Sequence, residues 1–298
     1  GSGGAPEAAV FTHLNILASV EMAREVLPAA RSDTMLGVLP FSNPFGFTAT
    51  LWLPLLSGMS AAYHADPFDA EGVGKLARKT TTSLLFATPR LLKTYAREIP
   101  REAFAGLRLV VAGAEKLHKA VADGFQARFG LRPSEAYGTT ELSGVAAVSL
   151  PEPPSAPQPI ATDRNVPDSV GRNLPGSVAK IVDPRTGAVL PDGQIGLLKI
   201  KGPHVMKGYM DKPGKTAAAI SDGWYTTSDL AAMDREGRLT IVGPKARFSM
   251  LEGELVPHVT VEELLRQASG SDDAEFVVTS VKDAAGRERL VALYAFLD

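Results

Sequence analysis

Between Met35 and Tyr137 short apolar runs alternate with helical patterns, and that alternation admits few architectures. Met35 to Leu39, Ser83 to Ala87, Leu107 to Ala112 and Pro133 to Tyr137 read as buried strands, with Ala61 to His64 as a shorter one. Between them Phe47 to Leu56, Ala70 to Thr80, Arg90 to Glu98 and Lys119 to Phe129 carry helical spacing of apolar residues. Such alternation means parallel βαβ units, and in sheets built from them ligands sit at the carboxyl ends of the strands. Ahead of this region Thr12-His13-Leu14-Asn15 is a polar start to a helix over Ile16 to Leu27, with Pro28 just past its end.

The texture changes after the proline-rich connector Pro151 to Pro159. Ser177 to Val182, Ile195 to Ile200 and Leu239 to Val242 are β-type runs. They are punctuated by the turns Asp183-Pro184-Arg185-Thr186-Gly187, Pro191-Asp192-Gly193 and Asp234-Arg235-Glu236-Gly237, which is hairpin spacing. Beyond Gly243 come a hairpin-like Phe248 to Val256, a helix over Val261 to Gln267, and strands over Glu275 to Val281 and Leu290 to Leu297. That last piece is smaller than most independent domains. The expected fold is α/β: parallel βαβ layers over residues 1–160, an antiparallel β subdomain over 161–246 and a small α+β unit over 247–298.

Composition narrows the partners. The formal net charge is -2 with acids and bases interspersed, so nothing supports a nucleic-acid footprint or a polybasic membrane patch. With no cysteine, disulfides, thiolate zinc sites and a cysteine nucleophile are excluded, and the compartment leans to the cytoplasm. Met35 to Ala65 carries no Asp, Glu, Lys or Arg and is long enough to span a bilayer. Pro40, Pro44 and Pro54 with Ser42, Asn43, Thr48 and Thr50 would strand polar groups in lipid, so no transmembrane segment is expected. His13, His64, His118, His204 and His258 are not spaced as metal ligands, and no Gly-x-Ser-x-Gly elbow is present.

Two turns fall at strand ends. One is Gly113-Ala114-Glu115-Lys116; the other is Tyr137-Gly138-Thr139-Thr140-Glu141. In the second a glycine lets backbone amides approach an anion, two hydroxyls can donate to phosphate oxygens, and a carboxylate can hold the Mg2+ that accompanies a nucleoside triphosphate. Taken alone, these five residues also fit a polar strand-end loop.

The motif has ordered companions: Ser169-Val170-Gly171-Arg172 with Leu174-Pro175-Gly176, and Gly223-Trp224-Tyr225-Thr226-Thr227-Ser228-Asp229. As a set they resemble the AMP-forming acyl-activating family of acyl-CoA synthetases, acyl-carrier-protein synthetases, peptide-synthetase adenylation domains and luciferases. The run Val110 to Leu117, and Arg247-Phe248 ahead of Gly253-Glu254, look most like the synthetase half of the bifunctional 2-acylglycerophosphoethanolamine acyltransferase/acyl-carrier-protein synthetase. The resemblance implies ATP and Mg2+ as cofactors and a carboxylic, fatty acid substrate. Acyl-carrier protein or CoA is the implied acceptor. It implies a cytoplasmic protein, at the inner membrane face if a fused domain carries it there. By position, Thr140 and Glu141 match the residues that hold ATP phosphate and Mg2+, with Glu141 the metal ligand. Gly113, Ala114 and Glu115 match the adenine-lining segment, and Tyr137, Gly138 and Thr139 complete the nucleotide motif. Asp229 matches the carboxylate that takes the ribose hydroxyls, while Trp224 reads as a packing residue. Phe41, Phe45, Phe47 and Trp52 could wall an acyl pocket, although a plain core is the commoner role for most such residues.

Departures concentrate on the chemistry. The family's phosphate loop ends Gly-x-Pro-Lys, and here Gly4-Ala5-Pro6 is followed by Glu7, a carboxylate that repels polyphosphate unless it turns away. Asn43 stands at the family histidine, Pro244 at the ribose-touching arginine and Met250 at a further lysine. The N-terminus Gly1-Ser2-Gly3-Gly4 has no signal peptide or initiator methionine and reads as a cut end, so a chain shortened at both ends is expected. Two functions therefore stay open: an acid–thiol ligase fragment, and a catalytically degenerate nucleotide- or partner-binding module.

Overall fold

The computed structural model describes residues 7–150, 169–251, 254–270, 274–283 and 287–296; Gly4-Ala5-Pro6 and the connector Pro151 to Pro159 lie outside the described residues. In chain order the first strands are β1 (Ala9–Val10), β2 (Thr34–Gly37), β3 (Ser60–Tyr63), β4 (Leu84–Ala87), β5 (Leu109–Ala112), β6 (Ser134–Tyr137), β7 (Ala147–Val148) and β8 (Arg172–Asn173). Seven of them form one sheet in the order β3-β2-β4-β5-β6-β7-β8. From β3 to β6 every pairing is parallel, and β7 and β8 extend the sheet antiparallel. All four residues of β4 and of β5 are buried, as strands covered on both faces require. Leu84, Leu85 and Val110 are fully enclosed, each worth about 1.5–3 kcal/mol of transfer free energy.

The covering helices start where the side chains cap them. Thr12 and Asn15 form a reciprocal capping box at His13–Val26, Asp69 caps Ala70–Thr80, and Thr88 caps Pro89–Glu98. Asn15 also donates from Nδ2 to the Pro203 carbonyl at 2.7 Å, tying the first helix to a distant loop. The apolar stretch after Asn43 is helical, but not α throughout: Phe47–Trp52 is a π-helix between the α-turns Pro44–Gly46 and Leu53–Ser57. It ends at Gly58, whose φ of 66° is the left-handed cap expected of Ser57-Gly58. Among the described residues no helix is long and apolar enough to cross a membrane.

The remaining strands are β9 (Val178–Val182), β10 (Gly196–Lys201), β11 (Gly208–Tyr209), β12 (Ile220–Ser221), β13 (Trp224–Met233), β14 (Leu239–Pro244), β15 (Phe248–Leu251), β16 (Glu254–Pro257), β17 (Ala274–Lys282) and β18 (Glu288–Phe296). The order β12-β13-β10-β9, with β14 on β13, makes an antiparallel sheet. The Trp224 to Asp229 motif thus opens the longest strand of that sheet. Trp224 does not join the buried cluster there; it is half-exposed, with Lys180 Nζ 4.0 Å from its ring centroid. β15 pairs β16 and β17 pairs β18 around the helix His258–Ser269. Glu262 is buried in that helix because Arg247 Nη2 donates to both its oxygens at 2.7 Å and the Val278 amide donates at 2.6 Å.

At the sheet end opposite the Tyr137 motif a buried carboxylate gathers three strands. Asp33 accepts from the Ala30 amide (2.6 Å), Ser83 Oγ (2.7 Å) and Arg108 Nε (2.8 Å), and these neighbours adjoin β2, β4 and β5. Burial alone would raise the Asp33 carboxyl, but the bonds from Arg108, Ser83 and Ala30 outweigh it and hold its pKa at about 2. An unfolded aspartate titrates near 3.9, so this group's stabilisation is complete above that pH and is lost as pH falls toward 2. Asp33→Asn is expected to cost about 2 kcal/mol in urea unfolding at pH 7, and less as the pH falls through that window.

Candidate functional site

The carboxyl ends of β5 and β6 open into a cleft of about 590 Å3, a size typical of small-molecule sites. Its wall carries Ala114, Gly138, Thr139, Thr140 and Glu141 from the parallel sheet and Ser228 and Asp229 from β13. Asn43 and Phe45, at the α-turn before the π-helix, also line it, as do Glu7, Tyr209, Lys215 and Tyr225.

The motif loop is tight, and its glycines are needed for contact. A Cβ on Gly138 would lie 2.1 Å from the Gly144 carbonyl oxygen, and one on Gly144 would lie 2.4 Å from that of Pro44. The Ala146 amide returns to the Tyr137 carbonyl at 2.8 Å, and Thr48 Oγ1 donates to the Ser143 carbonyl at 2.6 Å, clamping the loop to the π-helix. Behind the loop the Met206 amide donates to the Glu141 carbonyl and Ser143 Oγ to that of His204, both at 2.8 Å. Thr140 is exposed to the cleft, and Thr139 Oγ1 is buried without a hydrogen-bond partner among the described residues.

Two tyrosine–carboxylate bonds define the electrostatics. Tyr137 donates to Asp229 Oδ2 at 2.7 Å across the junction of the sheets, and Tyr209 donates to Glu141 Oε1 at 2.7 Å. Burial raises the Asp229 carboxyl, the Tyr137 hydroxyl opposes that shift, and nearby Glu141 adds to it. Burial, with the neighbouring carboxylates, also pushes Tyr137, Tyr209 and Tyr225 upward, so all three remain protonated donors.

Of the residues expected from sequence, Ala114, Gly138, Thr139, Thr140, Glu141 and Asp229 meet in the cleft. Gly113 lies beneath it, where a Cβ would come within 2.8 Å of the Phe45 ring, and Tyr137 acts through its bond to Asp229. Glu115 is exposed beside Ala114 and is not in the wall, while Ala114 takes a left-handed φ of 68°. Asn43 caps the helix, its Oδ1 accepting from the Phe45 amide at 2.8 Å, which leaves its Nδ2 amide able to donate into the cleft it lines. Tyr209, Lys215, Tyr225 and Ser228 were not singled out as site residues from sequence. Tyr225 and Ser228 belong to the recognised motif, whereas Tyr209 and Lys215 carry no local signal.

Similarity to known proteins agrees with this geometry. The model of the AMP-binding enzyme family matches residues 1–210. The chain belongs to the AMP-binding enzyme family. It is 28% identical over 296 residues to the long-chain-fatty-acid–CoA ligase of Bacillus subtilis (strain 168), covering 98% of this chain and 50% of the relative. It is 32% identical over 284 residues to the medium-chain fatty-acid–CoA ligase of Escherichia coli (strain K12), covering 94% and 48%. The crystal structure of ATP-bound MatB from Rhodopseudomonas palustris superposes with a TM-score of 0.82 at 25% identity, covering 99% of this chain and 56% of that one. The chain therefore spans about half the length of the curated relatives it matches.

Two pH-dependent outcomes follow from the site. His204 is fully buried with neither ring nitrogen hydrogen-bonded among the described residues, and burial lowers its pKa to about 4. An unfolded histidine binds a proton near pH 6.5, so stability is complete above that value and falls as pH drops toward 4. Replacing His204 with Leu is expected to remove about 3 kcal/mol of pH dependence from urea unfolding across that window. A nucleotide that needs Asp229 as an acceptor will be lost on acidification above the ordinary aspartate range, because burial and Glu141 raise that carboxyl. Tyr137→Phe removes the opposing donor, so the midpoint for AMP binding in a calorimetric pH series should move to still higher pH.

Proposed function

We propose that this chain is the adenylate-forming part of an ATP-dependent acid–thiol ligase acting on a fatty acid. One observation carries the reading: Thr139, Thr140 and Glu141 from one sheet converge with Asp229 from the other in a single cleft. The exposed Thr140 hydroxyl suits a phosphate oxygen, and the Tyr137-oriented carboxylate of Asp229 suits ribose hydroxyls. Ala114, in the segment that the resemblance assigns to the base, lines the same cleft with a left-handed φ of 68°. The fatty-acid ligases among the relatives support a fatty acid as the carboxylate.

In the first half-reaction an oxygen of the carboxylate bonds to the α-phosphorus of ATP and the bond to the β-phosphate breaks, releasing pyrophosphate. In the second, the sulfur of a thiol bonds to the acyl carbon, the thiol gives up its proton and AMP leaves. No covalent bond to the protein is required, so the side chains contribute positioning and charge stabilisation. Glu141 fits a Mg2+ site, since that ion needs only one or two carboxylates beside water and phosphate; its chemistry there is neutralisation of phosphate charge. The acceptor is CoA or a carrier-protein thiol: the fatty-acid–CoA ligases among the relatives support CoA, and the Val110 to Leu117 run resembles a carrier-protein synthetase. The segments 1–160, 161–246 and 247–298 serve as the working units, in a cytoplasmic protein whose membrane association would come from a fused domain.

A binding module on the same fold is the second reading, and Pro244 favours it. It sits directly across from Asp229 in the β13–β14 register, where it offers neither charge nor amide donor to a ribose. Acid-dependent ATP–pyrophosphate exchange separates the two. With a fatty-acid series the ligase reading predicts exchange, reduced about 100-fold or more by Glu141→Ala. Nucleotide binding without exchange for any acid would assign the chain to the second reading.

A further inference from the structure

Glu7 is the residue at which the sequence argues most strongly against polyphosphate, yet it does not present a bare charge. It lines the cleft, accepts from Lys212 Nζ at 3.1 Å and pairs closely with Lys215 Nζ. Some two hundred residues of chain separate the partners, so the fold brings them together. The ladder between β1 and β11 pairs Ala9 with Tyr209 and Val10 with Gly208, and the Met210 amide donates to the Ala8 carbonyl at 2.8 Å. Immediately beyond it the helix Pro213–Ala219 is seated by Thr216, whose Oγ1 accepts from the Tyr209 amide at 2.9 Å and donates to the Lys212 carbonyl at 3.0 Å. Lys215 is thereby fixed on the cleft side. Its Nζ lies 4.8 Å from the centroid of the Tyr209 ring, and the hydroxyl of that ring reaches Glu141.

One carboxylate between two ammonium groups leaves a net positive charge at this rim. Glu7 pairs more closely with Lys215 than with Lys212, so the excess charge belongs to the cluster of three. Lys212 is absent from the cleft wall and Lys215 is part of it. We propose that Lys215 brings the excess positive charge of this cluster to the β- and γ-phosphates of the nucleotide, with Glu7 and Lys212 holding it at the rim. This role rests on the nucleotide reading of the cleft given above. The cation that the phosphate loop lacks at Glu7 would then arrive from just beyond the far end of the matched residues 1–210, on the helix after β11.

The test is calorimetric binding of MgATP and of AMP to this chain and to Lys215→Ala, Lys215→Arg and Glu7→Gln. Because AMP lacks the distal phosphates, Lys215→Ala should weaken MgATP about tenfold or more and AMP by less than about twofold. Lys215→Arg should restore most of the difference, and Glu7→Gln should tighten MgATP. Equal losses for the two nucleotides in Lys215→Ala, or no loss in either, would overturn the assignment. If the unmodified chain binds neither nucleotide, the nucleotide reading itself fails, a result distinguishable from AMP binding that ignores Lys215.

Discussion

The hydrogen bond from Tyr137 to Asp229 is the interaction on which the site depends, because its two residues belong to different sheets. Tyr137 ends β6 of the parallel sheet, and Asp229 lies in β13 of the antiparallel one. The cleft wall draws on both sheets, Thr139, Thr140 and Glu141 from one and Ser228 and Asp229 from the other. The second such bond, Tyr209 to Glu141, ties β11 to the motif loop in the same way. Both carboxylates stay at the junction because protonated phenols supply the donors that water would otherwise provide.

That junction is supported from behind by backbone bonds, which do not depend on a ligand. Met206 and His204 hold the loop that carries Thr140 and Glu141, Thr48 holds it from the π-helix, and Gly138 and Gly144 allow the approach. A helix containing a π-turn beside a ligand cleft is a common association, and here Thr48 Oγ1 reaches the Ser143 carbonyl from that turn. The fold thus fixes the loop in place before any substrate arrives, which is the condition for electrostatic stabilisation without reorganisation.

Much of this was legible in the sequence. The helices Ala70–Thr80 and Lys119–Phe129 have the bounds their periodicity predicts, because capping residues and apolar spacing agree there. The parallel order followed from fully apolar runs such as Leu84–Ala87, and the motif residues fell at strand ends as α/β sheets require. Less legible were features that depend on distant chain. Strand β13 was hidden because Thr226, Thr227, Ser228 and Asp229 break the apolar pattern at the site it serves. The helix Pro213–Ala219 is short and has no buried residue, so nothing in its spacing announced it. For the same reason Lys215 went unnoticed, and Glu7 looked like an isolated departure rather than one member of a charged cluster.

The account stands on a nucleotide lying across the Tyr137–Asp229 junction. The most direct measurement is a crystal structure of this chain with AMP. The predicted result places the ribose hydroxyls within hydrogen-bond distance of Asp229 and the phosphate against Thr139 and Thr140. AMP bound elsewhere, with Asp229 and Thr140 both untouched, would contradict it.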